Sequence, residues 1–295
     1  MIDKSANPEL SIIIVNYNSG KYLAKCLKSI KQNIKNIEYE IIIVDNNSTD
    51  DSIKGIEQYD KVNLIREKKN HGFAKANNIA VSHAKGRYLL ILNNDTIIFD
   101  DSIAKLLEHK KREPEIGIIA PVIFYGDNSF QLSFGYDINL FSEIILKYFA
   151  EKYYKIIYKI RKDNFMKQPD WISGACFLIE KKVYESVSGF DERFFLYMED
   201  ADFGRRVREK GFKLLVYGKA KIIHYKGKSS SKNLSISLVE SKKSQLYYYC
   251  KHNSKLSFVL LKLYLKLKFK IKYLSDKKNR KIIGKILEII DEYRC

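Results

Sequence analysis

Three aliphatic runs, Ser11-Ile12-Ile13-Ile14-Val15, Glu40-Ile41-Ile42-Ile43-Val44 and Tyr88-Leu89-Leu90-Ile91-Leu92, alternate with stretches of helical periodicity in the first 120 residues. Strands covered on both faces read as near-continuous apolar runs, whereas half-exposed strands alternate apolar and polar residues. Such runs joined by helices imply a mostly parallel sheet with helices on both faces. Between the first two, Leu23, Cys26, Leu27, Ile30 and Ile34 fall on one helical stripe. A short strand is expected at Val62-Asn63-Leu64-Ile65 and a helix over residues 74–84. Asp100 or Asp101 can cap the next helix, with Ile103, Leu106 and Leu107 inward and Pro114 beyond its end. Ile116–Phe124 reads as a further strand.

Beyond residue 125 the pattern loosens. Residues 126–168 are rich in Tyr, Phe and Lys and read as an irregular insertion that shapes a second substrate site, with the aromatics of residues 130–158 as its acceptor wall. Residues 171–179 resume strand character, and residues 181–187 suit a short helix. Residues 200–210 suit another, with Phe203 and Val207 inward and Gly211 as its stop. Leu214-Leu215-Val216-Tyr217 and Ile222-Ile223-His224-Tyr225 are expected as two final strands.

Of 295 residues, 45% are hydrophobic and 30% charged, a globular balance. The net charge of +18 is unevenly placed: from residue 226 onward lie 18 of the 53 basic residues but only 5 of the 35 acidic ones. Within residues 256–273, Lys262, Lys266 and Lys270 interleave with apolar residues. This reads as an amphipathic helix with one basic face lying on an anionic membrane. A strand at residues 266–272 and a basic helix packed on the body are the alternatives. Nucleic-acid binding is not expected, because no recognition motif accompanies the charge. Cys26, Cys176, Cys250 and Cys295 are scattered and expected to be reduced thiols in a cytosolic protein. Residues 1–8 lack the apolar core of a signal peptide, and no stretch of about 18 uncharged apolar residues offers a membrane span.

The chemistry gathers at strand ends. Asn93-Asn94-Asp95 directly follows the third aliphatic run. Open α/β sheets collect ligands beyond the carboxyl ends of their strands. A carboxylate between amides there can hold a hard divalent cation, and through it a diphosphate. Asp45 closes the second run, where it can accept a hydrogen bond from a base N–H. Glu199-Asp200-Ala201-Asp202 opens a helix behind Gly189-Phe190-Asp191-Glu192-Arg193-Phe194-Phe195. His224-Tyr225-Lys226-Gly227-Lys228-Ser229-Ser230 follows the last strand. Singly, each has a plain structural reading as a turn, a helix cap or a packed histidine.

In this order and spacing the motifs resemble the family 2 glycosyltransferases of the GT-A fold, especially the rhamnosyltransferase-like branch, over about residues 10–230. Ser11-Ile12-Ile13-Ile14-Val15-Asn16-Tyr17-Asn18 looks like the opening strand, and Ile43-Val44-Asp45-Asn46-Asn47-Ser48-Thr49-Asp50 like the second nucleotide-binding turn. Asn70-His71-Gly72-Phe73-Ala74-Lys75-Ala76-Asn77-Asn78 resembles the Asn-x-Gly-Phe-x-x-x-Asn segment. Trp171-Ile172-Ser173-Gly174-Ala175 and Met198-Glu199-Asp200 resemble the acceptor and catalytic-base segments. The resemblance implies a GT-A domain over residues 1–230, with a nucleotide-sugar half at about 10–125 and an acceptor half at about 126–230. Residues 231–295 form the basic tail. It places Val15, Asn16, Tyr17, Asp45, Asn70, Gly72, Phe73, Asn77, Asn94, Trp171 and Gly174 at the substrates, with Arg205 or Arg206 on the diphosphate. Asp95 and His224 are implied ligands of Mn²⁺ or Mg²⁺, the histidine favouring Mn²⁺. Asn93 stands where many members carry a first acidic ligand, which lowers the expected metal affinity. Asp200 is the implied base of a single inverting displacement; Asp202, the next candidate, points elsewhere on the helix.

The expected activity is transfer from a nucleotide-sugar donor, dTDP-rhamnose first and a UDP-hexose second, to a lipid-linked saccharide in bacterial surface polysaccharide synthesis. The expected place is cytoplasmic, peripheral on the inner face of the cell membrane, with the oligomeric state open. Two rivals are a catalytically inactive GT-A module that binds sugar nucleotide or glycan as a scaffold, and a basic surface-binding protein whose α/β body is incidental.

Overall fold

The aliphatic runs become neighbouring strands. In the computed structural model, which describes residues 7–143, 147–225 and 234–295, β1 (Leu10–Asn16) lies between β2 (Tyr39–Asp45) and β4 (Tyr88–Leu92), parallel to both, and β3 (Val62–Arg66) is parallel to β2. The main sheet continues through β5 (Thr96–Ile98), β6 (Ile116–Phe124), β11 (Cys176–Glu180) and β12 (Lys213–His224) in the order β3-β2-β1-β4-β11-β6-β12-β5. β11 runs antiparallel to both β4 and β6, so the sheet is mixed but mostly parallel at its nucleus. β7 (Phe130–Gln131) pairs with β6, and β9 (Met166–Lys167) with β12. β8 (Phe134–Gly135) and β10 (Trp171–Ile172) form a separate ribbon.

Alternate residues of the runs feed two cores. Ile13, Ile42, Val44, Leu89 and Ile91 pack under α2 (Gly72–Ser82), α5 (Lys181–Ser186) and α6 (Glu199–Glu209). Ile12, Ile14, Ile41, Ile43 and Leu90 pack under α1 (Tyr22–Asn33) and α3 (Ser102–Arg112). Both faces are covered, as the runs imply.

The second half departs from expectation in four places. Residues 126–168 hold a 15-residue helix, α4 (Lys147–Arg161). Several aromatics there are core: Phe134 packs edge-on to Tyr154 at 4.9 Å, and Phe130 stacks on Tyr158 at 5.5 Å. Residues 171–179 divide between two sheets because Ser173-Gly174-Ala175 leaves the strand. The two expected final strands are one, β12, bulged between Tyr217 and Lys221, where Gly218 N donates to Phe165 O at 2.7 Å. Cys26 and Cys176 are free and buried, but Cys250 and Cys295 are joined as a disulfide with Cα atoms 5.4 Å apart, which corrects the expectation of four reduced thiols.

The tail is helical: α7 (Leu234–His252), α8 (Lys255–Ser275) and α9 (Arg280–Glu292). Residues 266–272, the alternative strand, lie inside α8. The three helices share an apolar cluster with Ile138, Phe194 and Ala201 of the body. Residues 226–230 of the segment after His224 lie outside the described residues.

Candidate active site

Because β1, β2 and β4 end side by side, their last residues meet. Asn16 is fully buried at the centre of the cluster. Its Nδ2 donates to Asp45 Oδ1 at 3.0 Å, Ser48 Oγ at 3.1 Å and Ser52 Oγ at 2.9 Å. Its Oδ1 accepts from Ser19 Oγ at 2.6 Å and Asn94 Nδ2 at 3.1 Å. Asp45 Oδ2 also accepts from Ser48 N at 3.2 Å. Hydrogen bonds thus hold three strand ends in one arrangement, at the place where the order of strands around β1 reverses. Val15 pairs with Val44 just inside this edge, and Tyr17 lies half-buried just outside it.

Asp95 turns from β4 into β5, and β5 pairs antiparallel with the end of β12, Thr96 opposite His224. His224 Nε2 therefore lies 3.1 Å from Asp95 Oδ1 and 3.3 Å from Asn93 Nδ2. On the other side of the ring, Gln131 Oε1 is 2.9 Å from Nδ1 and can accept a hydrogen bond from it. In a neutral imidazole that leaves a lone pair on Nε2, facing a carboxylate oxygen. Two electron-rich atoms at that separation, both buried, suit a divalent cation between them, so the residues fit a metal. Among the described residues no group of three His, Cys, Asp or Glu side chains gathers for that purpose.

A second junction ties α2 to the loop before α6. Asn46 Nδ2 donates to Asn70 Oδ1 at 2.8 Å and to Gly72 O at 3.0 Å, while Asn46 Oδ1 accepts from His71 N at 2.8 Å. Phe73 N donates to Phe195 O at 2.8 Å. Gly72 is in the left-handed region at φ +81°, and a Cβ on it would sit 2.2 Å from Phe195 O. Gly72→Ala is therefore expected to cost about 2 kcal/mol or more, from backbone strain and a displaced loop, read as a lower urea midpoint. The Phe73 ring also fills the space beside Gly174. Asn77 spends its amide within α2, on Phe73 O at 2.8 Å.

Asp200 stands near the N-terminus of α6, after two successive left-handed residues, Tyr197 (φ 69°) and Met198 (φ 66°). Its Oδ1 accepts from Ala201 N at 2.8 Å and its Oδ2 faces Gly174 N at 3.4 Å. Burial is the main influence on its carboxyl and pushes it up to about 6. Glu199 is more enclosed: its Oε2 has no hydrogen-bond partner among the described residues, and burial, then the Asp200 charge, holds its carboxyl well above the ordinary range. Asp202 behaves oppositely. It is fully buried, yet hydrogen bonds from His252 Nε2 (2.7 Å), Lys251 Nζ (2.5 Å) and Arg206 Nε (2.8 Å) outweigh burial and lower its carboxyl.

α7 supplies two of those partners. It also holds the loop before α6, through Ser244 Oγ to Leu196 O at 2.8 Å and Tyr247 OH to Asp191 Oδ2 at 2.8 Å. Arg206 is committed to Asp202 and to the carbonyls of Val187 and Gly189. Arg205 pairs with Glu209 at 3.0 Å and lines a shallow recess with Asp137, Arg208 and Glu209, a recess that no other expected site residue lines. Trp171 packs on Gly135 and donates from Nε1 to Tyr136 O at 3.1 Å. Sequence reasoning quoted Asn46 and Glu199 within motifs but gave them no role of their own, and it passed over Gln131, Lys251 and His252, which carried no signal.

The fold is shared with solved glycosyltransferases at low identity. The structure of GalNAc-T7 with UDP, GalNAc and Mn²⁺ superposes with a TM-score of 0.59 at 16% identity, over 98% of this chain and 55% of that one. The mannosyltransferase PcManGT from Pyrobaculum calidifontis, in complex with GDP-Man and Mn²⁺, gives 0.57 at 14% identity, over 98% and 89%. The architecture is GT-A. The sequence profile of Glycosyl transferase family 2 matches residues 11–188, more than half of the chain, and the chain belongs to that family. It is 24% identical over 262 residues to N-acetylglucosaminyl-diphospho-decaprenol L-rhamnosyltransferase of Mycobacterium tuberculosis, spanning 83% of this chain and 85% of that protein. It is also 24% identical over 225 residues to the O-antigen biosynthesis protein RfbC of Myxococcus xanthus, spanning 75% of this chain and 18% of that protein.

Proposed function

We propose that this chain transfers a sugar from a nucleotide diphosphate donor to a lipid-linked saccharide with inversion, dTDP-rhamnose being the favoured donor and a UDP-hexose the second. The observation that carries the reading is the isolation of Asp200. Its carboxyl oxygens accept from backbone N–H groups, and among the described residues no cationic side chain pairs with it. A carboxyl pushed up to about 6 is a competent base near neutral pH. Asp200 takes the proton of the acceptor hydroxyl as that oxygen bonds to the anomeric carbon. The nucleoside diphosphate leaves from the opposite side, and the configuration inverts.

Asp45, Asn70 and Asn94 would orient the nucleotide at the strand ends, with the buried Asn16 and Asn46 holding them in place. Asp95 and His224 would hold Mn²⁺ or Mg²⁺, which when bound neutralises charge on the departing diphosphate. A relative named for a diphospho-decaprenol substrate supports the lipid-linked acceptor. The proposed site of action is the inner membrane face, with the basic C-terminal region on anionic lipid. No helix among the described residues is long and apolar enough to cross a membrane.

Thermal unfolding with a panel of nucleotide sugars, with and without Mn²⁺, tests the donor side. One donor should raise the melting temperature only with metal, corresponding to about 2.7 kcal/mol of stabilisation at a hundredfold excess over Kd. A flat panel would overturn the proposal. Gln131→Ala should weaken Mn²⁺ binding by about 10–100-fold, because Gln131 orients His224 without itself touching metal; a Mn²⁺ titration followed by the same donor-induced shift measures it.

A further inference from the structure

α8 is apolar on two opposite sides. Phe258, Leu261, Leu265 and Phe269 face inward and are buried. The residues between them form a second row: Leu256, Leu260, Leu263, Leu267, Ile271 and Leu274 are 68%, 44%, 60%, 64%, 59% and 74% exposed. At 3.6 residues per turn this row points about 180° from the buried one and runs about 30 Å along the helix. Lys266 and Lys270 border it on one flank and Lys268 on the other, whereas Lys262 and Lys272 turn toward the buried side; α8 contains no acidic residue, and Lys266 pairs with Asp291 of α9 at 2.7 Å. The expected single basic face is therefore a leucine row between two lysine flanks.

We infer that this leucine row is a docking surface for an anionic lipid bilayer, with α8 lying in the plane of the interface. A contiguous exposed apolar stripe on a protein surface calls for a covering partner. The row's spacing would also suit pairing with a second copy of the chain. Charge decides between them. A symmetric pair would set Lys268 and Lys270 against lysines of the other copy with no carboxylate on α8 to compensate, Asp291 of α9 being spent on Lys266, whereas anionic headgroups neutralise both flanks while the leucines enter the acyl boundary. Since α7 joins α8 to the loop and helix that carry Asp200, a seated α8 also fixes the orientation of that carboxylate to the bilayer. The inference rests on the proposed membrane-side location, not on the transfer chemistry.

Vesicle flotation of the full chain tests it, using phosphatidylcholine vesicles with and without phosphatidylglycerol. The unaltered chain should bind only the anionic vesicles. Leu263→Gln/Leu267→Gln should lower the partition coefficient by about tenfold or more with an unchanged melting curve, since both side chains are exposed. Lys268→Gln/Lys270→Gln should lower it and remove part of its salt dependence. If the leucine variant binds as well as the unaltered chain, attachment is purely electrostatic: the docking face is wrong and the membrane location stands. Failure of the unaltered chain to bind removes both. A dimer in solution that the leucine substitutions dissociate would give the row to a second copy. Loss of binding in Ile156→Gln/Ile160→Gln alone would move the surface to the exposed apolar face of α4.

Discussion

Asp200→Asn is expected to lower sugar transfer by roughly 10²–10⁴-fold, the span usual for loss of a positioned general base, with donor-induced stabilisation retained. The amide keeps the size and its one oxygen can still accept from Ala201 N, while its NH2 replaces the oxygen that faces Gly174 N and cannot take the acceptor proton. The pH profile of the unaltered protein should fall on its acid side with a midpoint near 6, because only the ionised carboxylate works and burial sets that value. The residual rate of the variant should lack this acid limb. Stability should move the other way. A carboxyl whose folded pKa lies above its unfolded one favours the fold fully below the unfolded value and loses that contribution as pH rises through about 6. Asp200→Asn should therefore melt higher than the unaltered protein above pH 6, with the gap closing below it. Equal melting temperatures on both sides, or undiminished transfer, would remove Asp200 from the proposed role.

The sheet was legible because strands buried on both faces must be apolar at nearly every position; residues 10–16, 39–45 and 88–92 need no context to be recognised. The meeting of Asn16, Asp45 and Asn94 follows from the same fact, since parallel neighbours end at one edge. Long-range pairing was not legible. Gln131 reaches His224 only because β7 folds back on β6, and nothing near Gln131 announces it. The aromatics of residues 130–158 read as a binding wall by composition, yet Phe130 and Phe134 are core because α4 closes over them. On α8, lysines at every fourth residue suggested a basic face; only knowledge of which side α7 and α9 cover shows that the exposed side is leucine. Lys251 was absorbed into a count of tail charges and His252 was not read at all, although both are bonded to a fully buried carboxylate.

That carboxylate, Asp202, carries the largest expected effect on stability. Asp202→Ala should cost about 3–5 kcal/mol in urea unfolding, the range found when one member of a buried ion pair is removed and its partners stay behind. Lys251 keeps Asp191 Oδ2 at 2.8 Å and Arg206 keeps two carbonyls, so the strain falls most on His252. The loss should be coupled across the α6–α7 contact. With Lys251→Met already in place, removing Asp202 should cost about 1–3 kcal/mol less than in the unaltered chain, and additive effects would mean that the two helices are held by other contacts. The pH dependence has the sign opposite to that of Asp200. A carboxyl held below its ordinary range stabilises the fold above the unfolded pKa and loses that contribution as pH falls through the folded one. The gap between the unaltered protein and Asp202→Ala should thus narrow on acidification, where the gap for Asp200→Asn also closes, but from the other direction. Two aspartates one helical half-turn apart then separate cleanly: one meets no cationic partner among the described residues and costs stability, as its proposed role as base requires, while the other binds α7 to the helix that carries the first.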